Sequence, residues 1–330
     1  MNSNVLERPE SLARPLPLPF CGYPRAKDVA YHGLQILPEN IPLVDFERAR
    51  PHRSSRYITK PAVQLSPDQR LRMARVIAEG FNPRETVNRH LQLPQDLPDD
   101  LLEYKHVDPF GCDSFGEWTK ENITYWFIRL FKFTDPASPR SAVQLNAAVL
   151  DSSMVLVNED EEVLGGVISE PMPSITEPET HRPNDPFIAA VLSFFEPIYT
   201  LLDAQDAEAI PALCARYPAF QDAYTRGKVG HPVIAASVET LPSKEAFELV
   251  AATAERYQQL GYIYVLTEAT HPWAGSAWEA LGAARVHYAP FRTQQRVSVN
   301  DATREDVLSS SDGFIADRDS GSMCYVLRLK

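Results

Sequence analysis

A chain of 330 residues has room for one large domain or two smaller ones with real cores, and its 44% hydrophobic and 10% aromatic content is that of a globular protein. A formal charge of -12, without a dense Lys/Arg run, excludes a dedicated nucleic-acid binder and disfavours an anionic membrane surface. No apolar stretch approaches the roughly 20 residues of a membrane span, and MNSNVLERPESLARPLPLPF lacks the charged-then-apolar order of a leader peptide. Cys21, Cys112, Cys214 and Cys324 are scattered, with no C-x-x-C pair, and read as reduced thiols of a cytoplasmic protein.

Residues 1–65 are rich in Pro and Arg and have little periodicity, which predicts an extended arm; residues 66–330 form the main domain. Ser66, Pro67 and Asp68 signal a helix start, and Leu71, Ala74, Val76, Ile77 and Phe81 form its apolar stripe up to Pro83. Glu85–Leu91 continues as a second helical stretch. Residues 94–120 are polar and irregular, and Thr124–Phe133 is either a strand or a buried helix. From about residue 140 a strand ends near Val157, an acidic turn covers Asn158–Glu162, and a second strand runs from Val163 to Ile168. An insertion at about 170–230 carries helices near Phe187–Leu202 and Ala207–Arg226. A strand at Val233–Glu239, a helix at Ser243–Leu260 and a strand at Tyr262–Glu268 follow. A short helix, Trp273–Leu281, ends at Gly282, and strands at Ala284–Ala289 and SMCYVLRLK close the chain. This order predicts a mixed α/β sheet flanked by helices.

The usual chemical motifs are absent from the sequence. The eight histidines are isolated, no zinc-ligand spacing occurs, and neither the P-loop pattern nor G-x-S-x-G is present, so no metal site is expected. The strand-helix-strand block from Val233 to Glu268 has the layout in which a helix N-terminus receives phosphates. Its turn, Thr240-Leu241-Pro242-Ser243-Lys244, contains no glycine.

This block, the ending SAWEALGAARVHY and the stretch EGFNPRETVNRHL together resemble the GCN5-related N-acetyltransferase (GNAT) superfamily, in its divergent branch with a long helical insertion. The resemblance implies a mixed, mostly antiparallel sheet whose fourth and fifth strands splay apart to hold acetyl-CoA or another acyl-CoA. It also implies acyl transfer to a small amine, with no nucleic-acid or membrane partner. A base must first remove a proton, because an ammonium with a pKa near 10 is no nucleophile at neutral pH. The catalytic candidates are Glu85, at the position of a family glutamate, Glu239 at the end of the fourth strand, and His271 after the fifth. Cofactor contacts fall on Val238, Thr240 and Leu241, on Ser243, Lys244 and Ala246 at the helix start, and on Thr270 and Ser276. Ser243 caps that helix in this reading, whether the turn binds phosphate or is only a well-capped start. Two departures stand out. Leu241 and Lys244 occupy signature positions of the pyrophosphate loop, and Trp278 stands where the family often has an acid tyrosine. They leave open a second reading, a GNAT-like domain without transferase chemistry that serves as a binding or regulatory module. Nothing in the chain fixes an oligomeric state.

Overall fold

A computed structural model describes residues 33–49, 56–82, 119–133, 147–172, 186–290 and 321–330. Eight strands form one sheet, β1 (Leu34–Gln35), β2 (Tyr57–Pro61), β3 (Met154–Asn158), β4 (Val163–Met172), β5 (Val229–Ser237), β6 (Tyr264–Ala269), β7 (Ala284–Pro290) and β8 (Gly321–Arg328). Their order is β1-β7-β8-β6-β5-β4-β3-β2, and every neighbouring pair is antiparallel except β5 and β6. The mixed, mostly antiparallel sheet is the one expected. Residues 34–35 and 57–61, from the Pro/Arg-rich segment, occupy its two edges.

The helices in chain order are α1 (Phe46–Ala49), α2 (Pro67–Phe81), α3 (Lys120–Phe127), α4 (Ala147–Ser152), α5 (Pro186–Arg216), α6 (Pro218–Thr225), α7 (Ser243–Gln259) and α8 (Pro272–Ala280). The capping signal at Ser66 is realised as a reciprocal box, with Ser66 Oγ accepting from Gln69 N and the Gln69 side chain accepting from Ser66 N. The Thr124–Phe133 run is helical: α3 passes into a π-helical turn at Ile128–Phe133. Residues 147–152, expected as the lead-in to a strand, form α4, and the hairpin strand begins only at Met154. The insertion carries one 31-residue helix, not a break near residue 205. The break falls at Tyr217, extended at φ -127° and ψ 95°, because the following Pro218 disfavours the helical conformation there and itself takes the first position of α6.

Alternation along the strands assigns the two helical layers. Val155 and Val157 of β3 pack with α2, α3 and α5, whereas Met154 and Leu156 pack with Leu249 and Ala252 of α7. α6 joins α5 under β5, β6 and β8, and α8 joins α7 on the opposite face. The expected chain reversal after α8 is present, with Gly282 at φ 91°.

One close approach ties α7 to β5. A Cβ on Gly230 would lie 2.3 Å from Cε1 of Tyr257, a fully buried ring whose hydroxyl donates to the Glu170 carbonyl at 3.0 Å. Gly230→Ala is therefore expected to lower stability by about 1–3 kcal/mol through overpacking. Urea denaturation checks this, and an unchanged midpoint would refute the packing account.

Candidate functional site

The parallel contact between β5 and β6 covers two residue pairs, Val229 with Tyr264 and Gly230 with Val265. Beyond them β5 stays paired with β4 as far as Ser237, and β6 stays paired with β8 as far as Ala269. The sheet therefore divides into two halves joined at one end, with a gap in the pairing between β5 and β6 beyond it. Two features of β5 end the ladder. Lys228 O accepts from Ile263 N and Tyr264 N on the β6 side, and the two-residue period returns to that side at Pro232, which has no N–H to donate. The next residue, Val233, is skipped in the pairing with β4, where Ile168 meets Ile234 and Ser169 meets Pro232. Such a bulge bends and twists the strand.

Side chains bridge the gap where backbone does not. On the α5 face, His231 Nε2 lies 2.7 Å from Glu268 Oε2, and its Nδ1 is 3.8 Å from Glu170 Oε1. The three side chains are only 13%, 2% and 3% exposed, respectively. Cys324 Sγ donates weakly to Glu268 Oε1 at 3.9 Å, and Thr267 Oγ1 donates to the Pro232 carbonyl at 3.3 Å. Asp206 of α5 completes the group with a hydrogen bond to Glu268. Among the described residues, the buried Asp206 Oδ1 and His231 Nδ1 make no hydrogen bond.

The charges in this cluster govern one another. Burial opposes charge on His231, but Glu268, backed by Glu170 and Asp206, outweighs it and holds the imidazole pKa well above 6.5. Burial likewise works against the Glu268 anion, and the imidazolium overcomes it, so this carboxyl titrates low. Asp206 goes the other way. Burial, then the Glu268 charge, push it well above the carboxylate range, so its protonated carboxyl donates to Glu268.

The residues expected from sequence are placed around the far end of β5. Glu239 and Thr240 are exposed in the turn that follows it. Val238, Thr240 and Leu241 line a surface pocket of about 510 Å³ together with Tyr57, Glu159 and Leu164, on the β2–β4 side of the turn. Ser243 does not cap α7: the cap position is Pro242, without a side-chain bond, because Pro242 is extended (φ -60°, ψ 144°) and Ser243 is the first helical residue. Its N–H and that of Lys244 precede the first intrahelical acceptor, while Glu245 N and Ala246 N reach the Pro242 carbonyl. Thr270 is half-buried just after β6, and Ser276 is exposed on α8. His271 caps α8, its Nδ1 accepting from Trp273 N at 3.2 Å. Trp278 is buried. Glu85 lies outside the described residues. Sequence reading missed His231, Glu268 and Asp206. The available signal was one ionisable residue in each of the two apolar strands flanking α7, which the isolated appearance of the histidines concealed.

No protein-family model matches the chain, and no curated protein matches it. Among solved structures it is similar to an apo agmatine N-acetyltransferase variant, at 12% identity over 83% of this chain and 100% of that one, with a TM-score of 0.43. It is also similar to the C-terminal condensation domain of Ebony in complex with beta-alanyl-dopamine, at 10% identity over 83% and 99% of the two chains and a TM-score of 0.44. A third is arylalkylamine N-acetyltransferase 2 from Aedes aegypti, at 10% identity, the same two coverages and a TM-score of 0.42.

A raised folded-state pKa stabilises the protein fully below the unfolded value near 6.5, and that contribution is lost as pH rises through the folded pKa. NMR titration of labelled histidine is expected to find His231 protonated above pH 6.5, and Glu268→Gln to bring its pKa down. A midpoint at or below 6.5 in the unsubstituted protein would contradict the pairing.

Proposed function

We propose that the protein is an acyl-CoA-dependent N-acyltransferase that transfers an acetyl group to a small amine in the gap between β5 and β6. The observation that carries this reading is the gap itself: a parallel pair that parts after two residues and leaves two strand edges facing each other. A thin chain carrying amides, such as pantetheine, fits between such edges by bonding to their unpaired backbone groups. The start of α7 suits the phosphates, since the Ser243 and Lys244 N–H groups and the positive end of the helix dipole meet the Lys244 side chain there. Glu245 in the first turn opposes an anion, which leaves Lys244 the larger share. Thr270 and Ser276 stand on the β6–α8 side of the same end.

The acyl-CoA supplies an acyl carbon activated by its thioester; transfer forms a C–N bond as the C–S bond breaks, giving an amide and a free thiol. His231 is the proton acceptor in this reading, because it sits at the vertex of the gap, where the strands part. Glu268 orients the ring and stabilises the imidazolium formed when the amine loses its proton. The charge on His231 at neutral pH makes the neutral ring, and hence the rate, increase on the alkaline side. Glu85 remains a second candidate base. His271 has its Nδ1 lone pair engaged as the α8 cap, and Glu239 is an exposed turn residue.

The loop without glycine and buried Trp278 at the acid position favour a different reading, a binding or regulatory module. Two measurements separate them. Acetyl-CoA is expected to stabilise the protein by about 2.7 kcal/mol at a hundredfold excess over Kd, seen as a raised Tm. His231→Gln is expected to lower kcat by about 10²–10⁴-fold and to flatten the alkaline rise of the rate. Absence of any shift with acetyl-CoA would remove the transferase, and an unaltered pH profile would remove His231 as the base.

A further inference from the structure

The buried cluster beneath α5 brings together three atoms of the kinds that hold a metal ion. One carboxylate oxygen each from Asp206 and Glu268 and the Sγ of Cys324 all lie within 4.8 Å of one another. They come from α5, β6 and β8, and the register sets Glu268 directly opposite Cys324. Glu268 and Cys324 are 56 residues apart in the chain, so ligand-spacing patterns in the sequence do not register them. The two oxygens of Glu268 face different ways: Oε2 lies 2.7 Å from His231 Nε2, and Oε1 lies 3.9 Å from Cys324 Sγ. Asp206 Oδ1 is buried and makes no hydrogen bond among the described residues. A buried oxygen of this kind carries a desolvation penalty that a bound cation or donor removes. Tetrahedral bonds of about 2.3 Å to sulfur and about 2.1 Å to oxygen place two such ligands about 3.6 Å apart, so the observed spacing is close to that of a metal shell.

We infer that Asp206, Glu268 and Cys324 form a binding site for a zinc-class divalent cation, with His231 outside the shell on the second oxygen of Glu268. A thiolate beside two carboxylates suits a borderline ion such as Zn²⁺ or Co²⁺, whereas Mg²⁺ and Ca²⁺ take oxygen ligands. A ligating carboxylate that is itself hydrogen-bonded by a neighbouring side chain is the usual outer-shell support. Binding forms one metal–sulfur and two metal–oxygen bonds and releases two protons to solvent, one from the Cys324 thiol and one from the carboxyl by which Asp206 donates to Glu268. The three groups carry one negative charge with those two protons and one negative charge with a divalent ion in their place. The imidazolium of His231 therefore keeps the same counter-charge before and after. The bound ion ties α5 to β6 and β8, beside the line where the pairing of β5 with β6 stops. The site goes beyond the transferase reading and does not depend on it.

Titration of the chelator-treated full chain with Co²⁺ tests this, because a thiolate bound to cobalt gives a sulfur-to-metal charge-transfer band in the near ultraviolet. The band is expected to saturate at about one Co²⁺ per chain and to vanish when Zn²⁺ displaces the cobalt. Zn²⁺ is expected to raise Tm where Mg²⁺ at the same concentration does not. Cys324→Ser is expected to abolish the band, and Cys214→Ser, at the half-buried cysteine outside the cluster, to leave it unchanged. Asp206→Asn leaves the thiol in place and is expected to weaken Co²⁺ binding at least about tenfold, which keeps the test open if Cys324→Ser does not fold. Absence of the band, a band that survives Cys324→Ser, or a Co²⁺ affinity untouched by Asp206→Asn would overturn the inference. None of these readouts involves acetyl transfer, so the metal site and the transferase reading stand or fall separately.

Discussion

Pro232 has no N–H to donate, and it stands where the parallel ladder between β5 and β6 needs its next donor. The skipped residue Val233 marks a bulge, which bends and twists β5 while it remains paired with β4. Each half of the sheet is otherwise continuous, so the opening is confined to one line through the centre of the molecule. α7, which connects the two strands, begins at the open end of that line, and α5 covers its other face. The two facing strand edges and the start of α7 beside the open end both follow from this one interrupted pairing.

Buried ionisable groups replace the missing backbone bonds across the opening. The register places Glu170 opposite His231 and Glu268 opposite Cys324, so one polar row crosses four strands beneath α5. Burying an ion pair costs about as much desolvation as its attraction returns. A row of this kind therefore adds little to stability beyond what well-packed apolar side chains would give, and chemistry is its stronger rationale. Elsewhere the same layer is conventional: Val155, Ile168 and Ile234 pack with α2, α3 and α5 as apolar core.

Much of the fold was legible because its signals are local. The Ser66 cap, the Asn158–Glu162 hairpin turn, the extent of α7 and the reversal at Gly282 each depend on residues within a few positions of one another. The errors arose where distant pairing overrode local preference. β5 begins at Val229, not Val233, since a proline that argues against a strand in isolation is accepted at its unpaired side. Residues 57–61 look irregular alone and become a strand only against β3. The candidate site was less legible than the fold. The turn after β5 was found by position, while the charged cluster draws Glu170, Asp206, His231, Glu268 and Cys324 from segments up to 154 residues apart, from 170 to 324. No spacing rule joins them; the sheet register and the packing of α5 across it do.

If the gap is where a cofactor chain lies, its edge amides must change state on binding. Amide hydrogen exchange followed by fragment mass spectrometry reads this directly. In the free protein the gap-side amides of residues 231–237 and 266–270 are expected to exchange faster than those of β4 and β8. Saturating acetyl-CoA is expected to slow them together with the first turn of α7. Unchanged exchange in both strands, under conditions where acetyl-CoA binds, would place the ligand elsewhere and contradict the account.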